Sequence, residues 1–198
     1  MFRYFPHNYV WNLSVDLSIE MGARIGEIEE MCAPLIAASE HPDAEGTRAF
    51  RQTWSAMADK LCALAQEDEQ RDRLFSAGEQ YLRAANYYLT CERLQAHGAA
   101  GRDALYRRFR EVFDLGCRYT QANCQRVEIP YEGTTLSALY VRAEGNAARA
   151  PLLVQVNGLD STKEMKYLVG LPQWLAKRGV SSLVVDQPGT GEALRLHN

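Results

Sequence analysis

Apolar positions recur at intervals of three and four up to about Asn123, and after it they fall in short β-branched runs bounded by glycine and proline. The change of period predicts a helical domain over 1–123 and an α/β portion over 124–198. The first helix is expected from near Ser14, with Leu17, Met21, Ile25, Ile28 and Cys32 on one stripe and Pro34 ending or kinking it. A second starts near Thr47 and carries Phe50, Trp54, Met57, Leu61 and Leu64. A third, Arg71 to His97, presents Leu74, Phe75, Gly78, Tyr81, Leu82, Ala85, Tyr88, Leu89, Cys91 and Leu94, with Gly98 as a natural stop. The fourth, Asp103 to Ala122, buries Leu105, Phe109, Val112, Phe113 and Gly116. Four helices with short connections predict a bundle or a pair of helical hairpins.

Beyond Asn123, Arg126–Pro130 and Thr135–Val141 read as two strands around the turn Tyr131-Glu132-Gly133-Thr134. Pro151–Val156 is a third strand, apolar enough for a sheet interior. The helical segment after it should break near Gly170, resume at Pro172 and stop at Gly179. Ser181–Asp186 is the fourth strand. A strand, a helix and a strand in that order predict a right-handed crossover and a parallel last pair.

Composition narrows the function classes. The 198 residues are 46% hydrophobic and 24% charged, with a net charge of -3, which places the chain among ordinary globular proteins. Basic residues are interleaved with acids, so no nucleic-acid partner is expected, and the densest cluster, Arg107, Arg108 and Arg110, reads as a solvated helix face. The longest apolar run, Met31 to Ala38, contains Pro34 and falls far short of the roughly 18 residues a membrane helix needs, so no membrane partner is expected. The N-terminal residues lack a signal-peptide pattern, and a cytoplasmic location is expected. Five cysteines without C-x-x-C spacing read as reduced core thiols. No internal repeat, no H-E-x-x-H, no Cys/His cluster with ligand spacing and no phosphate-cradling glycine loop is present, so neither metal nor cofactor is expected.

Three segments carry a resemblance: Asn157-Gly158-Leu159-Asp160-Ser161-Thr162-Lys163-Glu164 after the third strand, Asp186-Gln187-Pro188-Gly189-Thr190-Gly191-Glu192 after the fourth, and Tyr81-Leu82-Arg83-Ala84-Ala85-Asn86-Tyr87-Tyr88 in the helical part. Together they resemble the α/β-hydrolase family that includes 2,6-dihydroxypseudooxynicotine hydrolase, fungal polyketide-shortening hydrolases and esterases related to the fermentation-respiration switch protein. The resemblance implies an α/β fold in which an N-terminal helical bundle acts as a cap and is followed by the first half of an α/β-hydrolase sheet. Gln187 stands where the family pattern leads one to expect glycine. The implied reaction is serine-type cleavage of a C–C or ester bond next to a carbonyl, with a small-molecule carbonyl or ester as substrate. It also implies that the Leu159 N–H is half of an oxyanion hole, with Gly158 shaping the turn. Such a loop suits that task because an acyl-transfer intermediate needs donors aimed where charge develops, and glycine lets the backbone approach. The competing reading of Asn157-Gly158 is a plain tight turn.

The family order places serine, acid and histidine after the fourth strand, so the chain is expected to be the N-terminal portion and to lack the triad. No G-x-S-x-G occurs in it. Ser137, Ser181 and Ser182 lie in strand patterns, and His7, His41, His97 and His197 read as surface residues. Ser161 with Glu164 matches a capping box. Lys163 and Glu164 suit either substrate positioning or tying the loop down. Asp186 is expected to line the site structurally, in a turn whose Gly189 and Gly191 take unusual backbone angles. Asp160, Lys163, Tyr81 and Tyr88 are the candidate substrate-binding residues; the tyrosines, with Tyr87 and Trp54, fit either a pocket wall or a core. The uncharged edge of the third strand predicts a homodimer or a complementing C-terminal segment. The alternative to an enzyme is a non-catalytic binding module or a truncated relic.

Overall fold

In a computed structural model, residues 3–40, 44–96, 98–145 and 149–196 are described. The chain divides into two compact units, Met1–Gln121 and Ala122–Asn198. His41, His97 and His197 lie outside the described residues; His7 is exposed.

The first unit is helical: α1 (Tyr9–Glu20), α2 (Ile25–Cys32), a 3-10 turn (Ala33–Leu35), α3 (Ile36–Ser39), α4 (Ala44–Gln70), α5 (Leu74–Arg93) and α6 (Arg102–Tyr119). The single helix expected from Ser14 to Pro34 is two helices. Asn8 starts α1 earlier than expected, accepting the Trp11 N–H at 3.0 Å. Gly22 then ends it with φ 95°, a backbone conformation that costs glycine little, and the N–H groups of Gly22 and Ala23 cap the Ile19 and Ser18 carbonyls. The break rotates the stripe: Trp11 and Val15 are buried, while Leu17 is half-buried and Ile25 is exposed. On α4, Leu64 is exposed and Ala58, Cys62 and Ala65 are buried; on α5, Leu74 and Phe75 point to solvent. Tyr106 on α6 is fully buried and Leu105 only half. Of the expected basic face only Arg107 is fully exposed, while Arg108 and Arg110 are half-buried.

A relay of rings runs through this core. Phe5, Trp11, Phe50, Trp54 and Tyr87 follow one another with centroid spacings of 5.2, 5.0, 4.8 and 5.7 Å, the separations at which offset and edge contacts are favourable. Helices α5 and α6 meet at two glycines. A Cβ on Gly116 would lie 2.7 Å from Leu82, and one on Gly78 would lie 2.9 Å from the Thr120 backbone nitrogen. Two buried polar contacts fix the register: Asn86 Nδ2 donates to the Ser18 carbonyl at 2.8 Å, and Arg102 pairs with the fully buried Glu92 at 2.6 Å.

The second unit comprises β1 (Gln125–Tyr131), β2 (Thr134–Val141), β3 (Leu152–Val156), α7 (Lys163–Leu168), α8 (Leu171–Ala176), β4 (Ser181–Val185) and α9 (Gly191–Leu196). The sheet order is β1-β2-β4-β3. The β1–β2 and β2–β4 pairs are antiparallel and β3–β4 is parallel. Glu132 and Gly133 both take positive φ, 43° and 81°, which is the tight hairpin turn whose twist matches its strands. Gly170, at φ 97°, separates α7 from α8 as the sequence suggested. β3 occupies an edge of this sheet, as expected from the absence of a second partner strand within these residues, although its apolar composition would suit an interior strand. Leu152, Leu153, Val154 and Val156 are 41–63% exposed, because among the described residues β4 is its only neighbour.

The two close glycine contacts yield a test of the helical unit. Gly78→Ala gains about 1 kcal/mol of helix propensity but drives its Cβ into Thr120. A net loss of about 1–3 kcal/mol is expected in a urea titration, and a stabilised variant would mean that α6 yields at this crossing.

Candidate functional site

The parallel pair brings the ends of β3 and β4 side by side, with Val156 opposite Val185. The two loops that carry the motifs therefore leave the sheet next to each other, at the carboxyl ends of strands where open α/β sheets bind ligands. Asp186, the first residue past β4, is fully buried between them. Its Oδ1 accepts hydrogen bonds from Asn157 Nδ2 at 2.5 Å and from the Lys163 N–H at 2.9 Å. Its Oδ2 accepts from Lys163 Nζ at 2.9 Å and from the Glu192 N–H at 2.8 Å. One carboxylate thus ties β3's loop, the start of α7 and the start of α9 to the end of β4.

Lys163 Nζ is the second centre. Besides Asp186 it contacts Glu164 Oε1 at 3.0 Å and Glu192 Oε2 at 2.7 Å, and Lys163 and Glu164 are both 0% exposed. Arg126 of β1 reaches the same two glutamates at 3.3 Å. Burial alone would raise the Glu164 carboxyl, but the Lys163 and Arg126 cations bring it down to about 2. The Lys163 ammonium, which burial alone would lower, is held above its ordinary value by the three carboxylates. Burial pushes the Asp186 carboxyl up, against the attraction of Lys163. Gly191 makes the arrangement possible: its φ is 48°, and a Cβ there would lie 2.0–2.2 Å from the Asp186 carboxylate.

In the loop after β3, the Ser161 N–H bonds to the Gly158 carbonyl at 3.1 Å, closing a turn. Gly158 does not take a positive φ and a Cβ on it would meet open space, so the turn itself makes no demand for glycine there. The Leu159 side chain is 65% exposed, and its N–H has no acceptor among the described residues. Asp160 is exposed beside it. The expected capping box at Ser161 is displaced by one residue. Thr162 is the N-cap of α7 and accepts the Met165 N–H at 3.3 Å, while the Ser161 hydroxyl turns back to Asn157 Oδ1 at 3.4 Å and Glu164 is taken by the ion cluster.

Asp160 and Lys163 therefore lie three residues apart yet in opposite environments: Asp160 is exposed, and Lys163 is sealed where its ammonium serves the fold. Tyr81 and Tyr88 belong to the helical unit and are each 2% exposed. The Tyr88 hydroxyl donates to Asp59, and burial together with a neighbouring carboxylate pushes both phenols above their ordinary range. Tyr87 donates to Glu27, and Trp54 is fully buried. These rings are core residues in their own unit. Ser181 and Ser182 are buried in β4, and Ser181 Oγ accepts the Ala143 N–H at 3.0 Å. All five cysteines are free; burial pushes the Cys32 and Cys91 thiols up to about 12, which keeps them protonated. Among the described residues no His/Cys/Asp/Glu group has the geometry of a metal site, and no helix is long and apolar enough to cross a membrane.

Sequence reasoning missed Arg126 and Glu192 as members of this cluster, and Gln187 as a partner of Asn157. Arg126 contacts Glu164 across 38 residues and Glu192 across 66, separations at which periodicity carries no signal. Gly191 was the available hint, since a glycine beside a buried carboxylate marks a close approach.

The cluster supplies a stability test. Lys163→Met removes one of two cations facing three buried carboxylates. A loss of about 3–5 kcal/mol is expected from chemical denaturation of the second unit. Unchanged stability would mean that water reaches the cluster.

No family model matches the chain. It is 32% identical to hydrolase LUC6 of Fusarium sp over 88% of this chain and 41% of that protein. It is 30% identical to hydrolase acrC of Aspergillus aculeatus, over 98% of this chain and 48% of the relative. The chain thus spans less than half the length of these curated relatives. Among solved structures it superposes on 2,6-dihydroxy-pseudo-oxynicotine hydrolase with a TM-score of 0.65 at 20% identity, over 89% of this chain and 46% of that one, a likeness of fold. A motif pair at the ends of two parallel strands, the fungal relatives and the shared fold agree: the chain belongs to an α/β-hydrolase-like family and corresponds to part of the length of its members.

Proposed function

We propose that these residues form the helical cap and the front half of the sheet of a serine-type α/β-hydrolase that cleaves a C–C or ester bond next to a carbonyl. The observation that carries the reading is the unpartnered Leu159 N–H on a turn anchored to a buried ion cluster at the strand ends. A donor with no acceptor of its own, on a backbone held from below, is what oxyanion stabilisation requires. In this mechanism a serine hydroxyl attacks the substrate carbonyl. The oxygen that becomes negative rests on the Leu159 N–H and on a second N–H next to the nucleophile. Collapse of the tetrahedral intermediate expels the carbanion or alkoxide, which takes up a proton, and water then releases the acyl group from the serine.

The serine, its acid and its histidine belong to residues other than these 198, which contain no G-x-S-x-G. Asp160, exposed on the same turn, faces the substrate; Gly158 keeps that approach free of a side chain. The unpaired side of β3 is where a further segment of the protein, or a second copy, completes the sheet.

Two measurements bear on this. A fluorophosphonate probe should leave the 198-residue chain without a specific adduct, and a stoichiometric adduct on Ser161, Ser181 or Ser182 would overturn the placement of the nucleophile elsewhere. In the protein that joins these residues to a nucleophile elbow, Gly158→Val should lower turnover at least tenfold, about 1.4 kcal/mol. The fold should be unaffected, since the added side chain meets open space. Full turnover in that variant would remove the oxyanion role from this loop.

A further inference from the structure

Asn157, the residue immediately before Gly158-Leu159, has every one of its polar groups occupied. Its side-chain Nδ2 donates to Asp186 Oδ1 at 2.5 Å and to the Val185 carbonyl at 3.1 Å, and its Oδ1 accepts from the Ser161 hydroxyl at 3.4 Å. Its backbone is held by one side chain. The Asn157 N–H donates to Gln187 Oε1 at 3.0 Å, and Gln187 Nε2 donates to the Asn157 carbonyl at 2.6 Å.

This double contact continues the sheet by other means. The β3–β4 ladder ends with Val156 opposite Val185. Beyond it, Asp186 is drawn into the ion cluster, and Pro188 has no N–H to offer. The peptide groups of Asn157 would lose their backbone partners there. A carboxamide presents an N–H donor and an oxygen acceptor side by side in one plane, so Gln187 substitutes for the missing rung. A glycine at 187 would have no side chain with which to do so.

We propose that Gln187 is a positioning residue for the Leu159 N–H, acting through the Asn157 peptide; this rests on the oxyanion reading of the loop. Gly158, with no Cβ and open space around it, is the flexible link between Asn157 and Leu159. Such a link presents a donor in one direction only if both its ends are fixed. Ser161 fixes the far end through the Gly158 carbonyl, and Gln187 with Asp186 fixes the near end. A donor held in advance costs no reorganisation when charge develops, which is where oxyanion stabilisation draws its strength.

The test is nuclear relaxation and amide exchange on the ¹⁵N-labelled chain, comparing the native protein with Gln187→Ala and Gln187→Glu. In Gln187→Ala the Asn157 amide should exchange at least tenfold faster. The Leu159 order parameter should fall from about 0.85 to below about 0.6, with the Leu183 and Val184 amides of β4 unchanged. Gln187→Glu keeps the acceptor for the Asn157 N–H but sets a carboxylate against the Asn157 carbonyl. It should retain part of the amide protection and still loosen Leu159. An unaltered Leu159 order parameter in both variants would overturn the proposal. So would loss of β4 protection in both, since Gln187 would then serve the sheet and not the loop. Neither readout needs turnover, so full activity of Gly158→Val would remove the oxyanion role of the loop while leaving a Gln187-dependent ordering of it in place.

Discussion

The second unit is organised around the carboxylate of Asp186. Four donors from three segments converge on it, and no water competes, because the residue is fully buried. An isolated charge in such a place would cost several kcal/mol. The fold offsets that cost by bringing in Lys163, and Lys163 in turn brings Glu164, Glu192 and, behind them, Arg126. Three acids and two bases then pair with one another across β1, α7, the end of β4 and α9, with Glu164 Oε2 left without a hydrogen-bond partner among the described residues. Such a cluster is a poor source of net stability compared with well-packed apolar groups, yet it is highly directional: it admits few alternative arrangements of the loops that feed it. Precision at the strand ends, more than stability, is what the unit gains from it.

The helical unit meets the same problem of specificity by other chemistry. Its rings stack into a relay from Phe5 to Tyr87, and two glycines let α5 and α6 come close enough that an added methyl group would clash. Buried phenols donate to carboxylates on other helices, Tyr87 to Glu27 and Tyr88 to Asp59. A phenol buried in such a core needs a partner for its hydroxyl, and taking one from another helix adds direction to contacts that burial alone leaves undirected.

The elements that were legible from sequence are those whose cause is local. The hairpin turn at Glu132-Gly133 and the break at Gly170 follow from residues within a turn or two of chain, the parallel pairing of β3 and β4 follows from the order strand, helix, strand, and each is present. The long first helix was misread because Asn8 and Gly22, a cap and a stop, lie outside the apolar stripe that suggested it. Leu64, Leu74 and Phe75 fit a helical stripe by spacing and yet face solvent, since spacing fixes a face but not what covers it. β3 has the composition of an interior strand and lies at the edge that the lack of a second partner within these residues led one to expect. The candidate site divides in the same way. The loop at Gly158-Leu159 and the Asp186 turn could be located from motif and period, whereas the partners that hold them, Arg126, Glu192 and Gln187, are distant in sequence and carry no local mark.

What the site gains from these distant partners is a division of labour along a short stretch of chain. Asn157 is fixed through every polar group it has, Gly158 has open space where a side chain would stand, and Leu159 presents an N–H without an acceptor among the described residues. Rigid, permissive and vacant positions follow one another within three residues. Had Asn157 been free, the permissive glycine would have spread the Leu159 donor over many directions, and binding a developing charge would first have required ordering the loop. With Asn157 clamped from β4, that ordering is completed when the chain folds. The buried charges below the loop and the carboxamide beside it therefore both act on Asn157, one through its side chain and the other through its backbone, and the direction of the Leu159 N–H two residues on is the quantity on which the proposed chemistry depends.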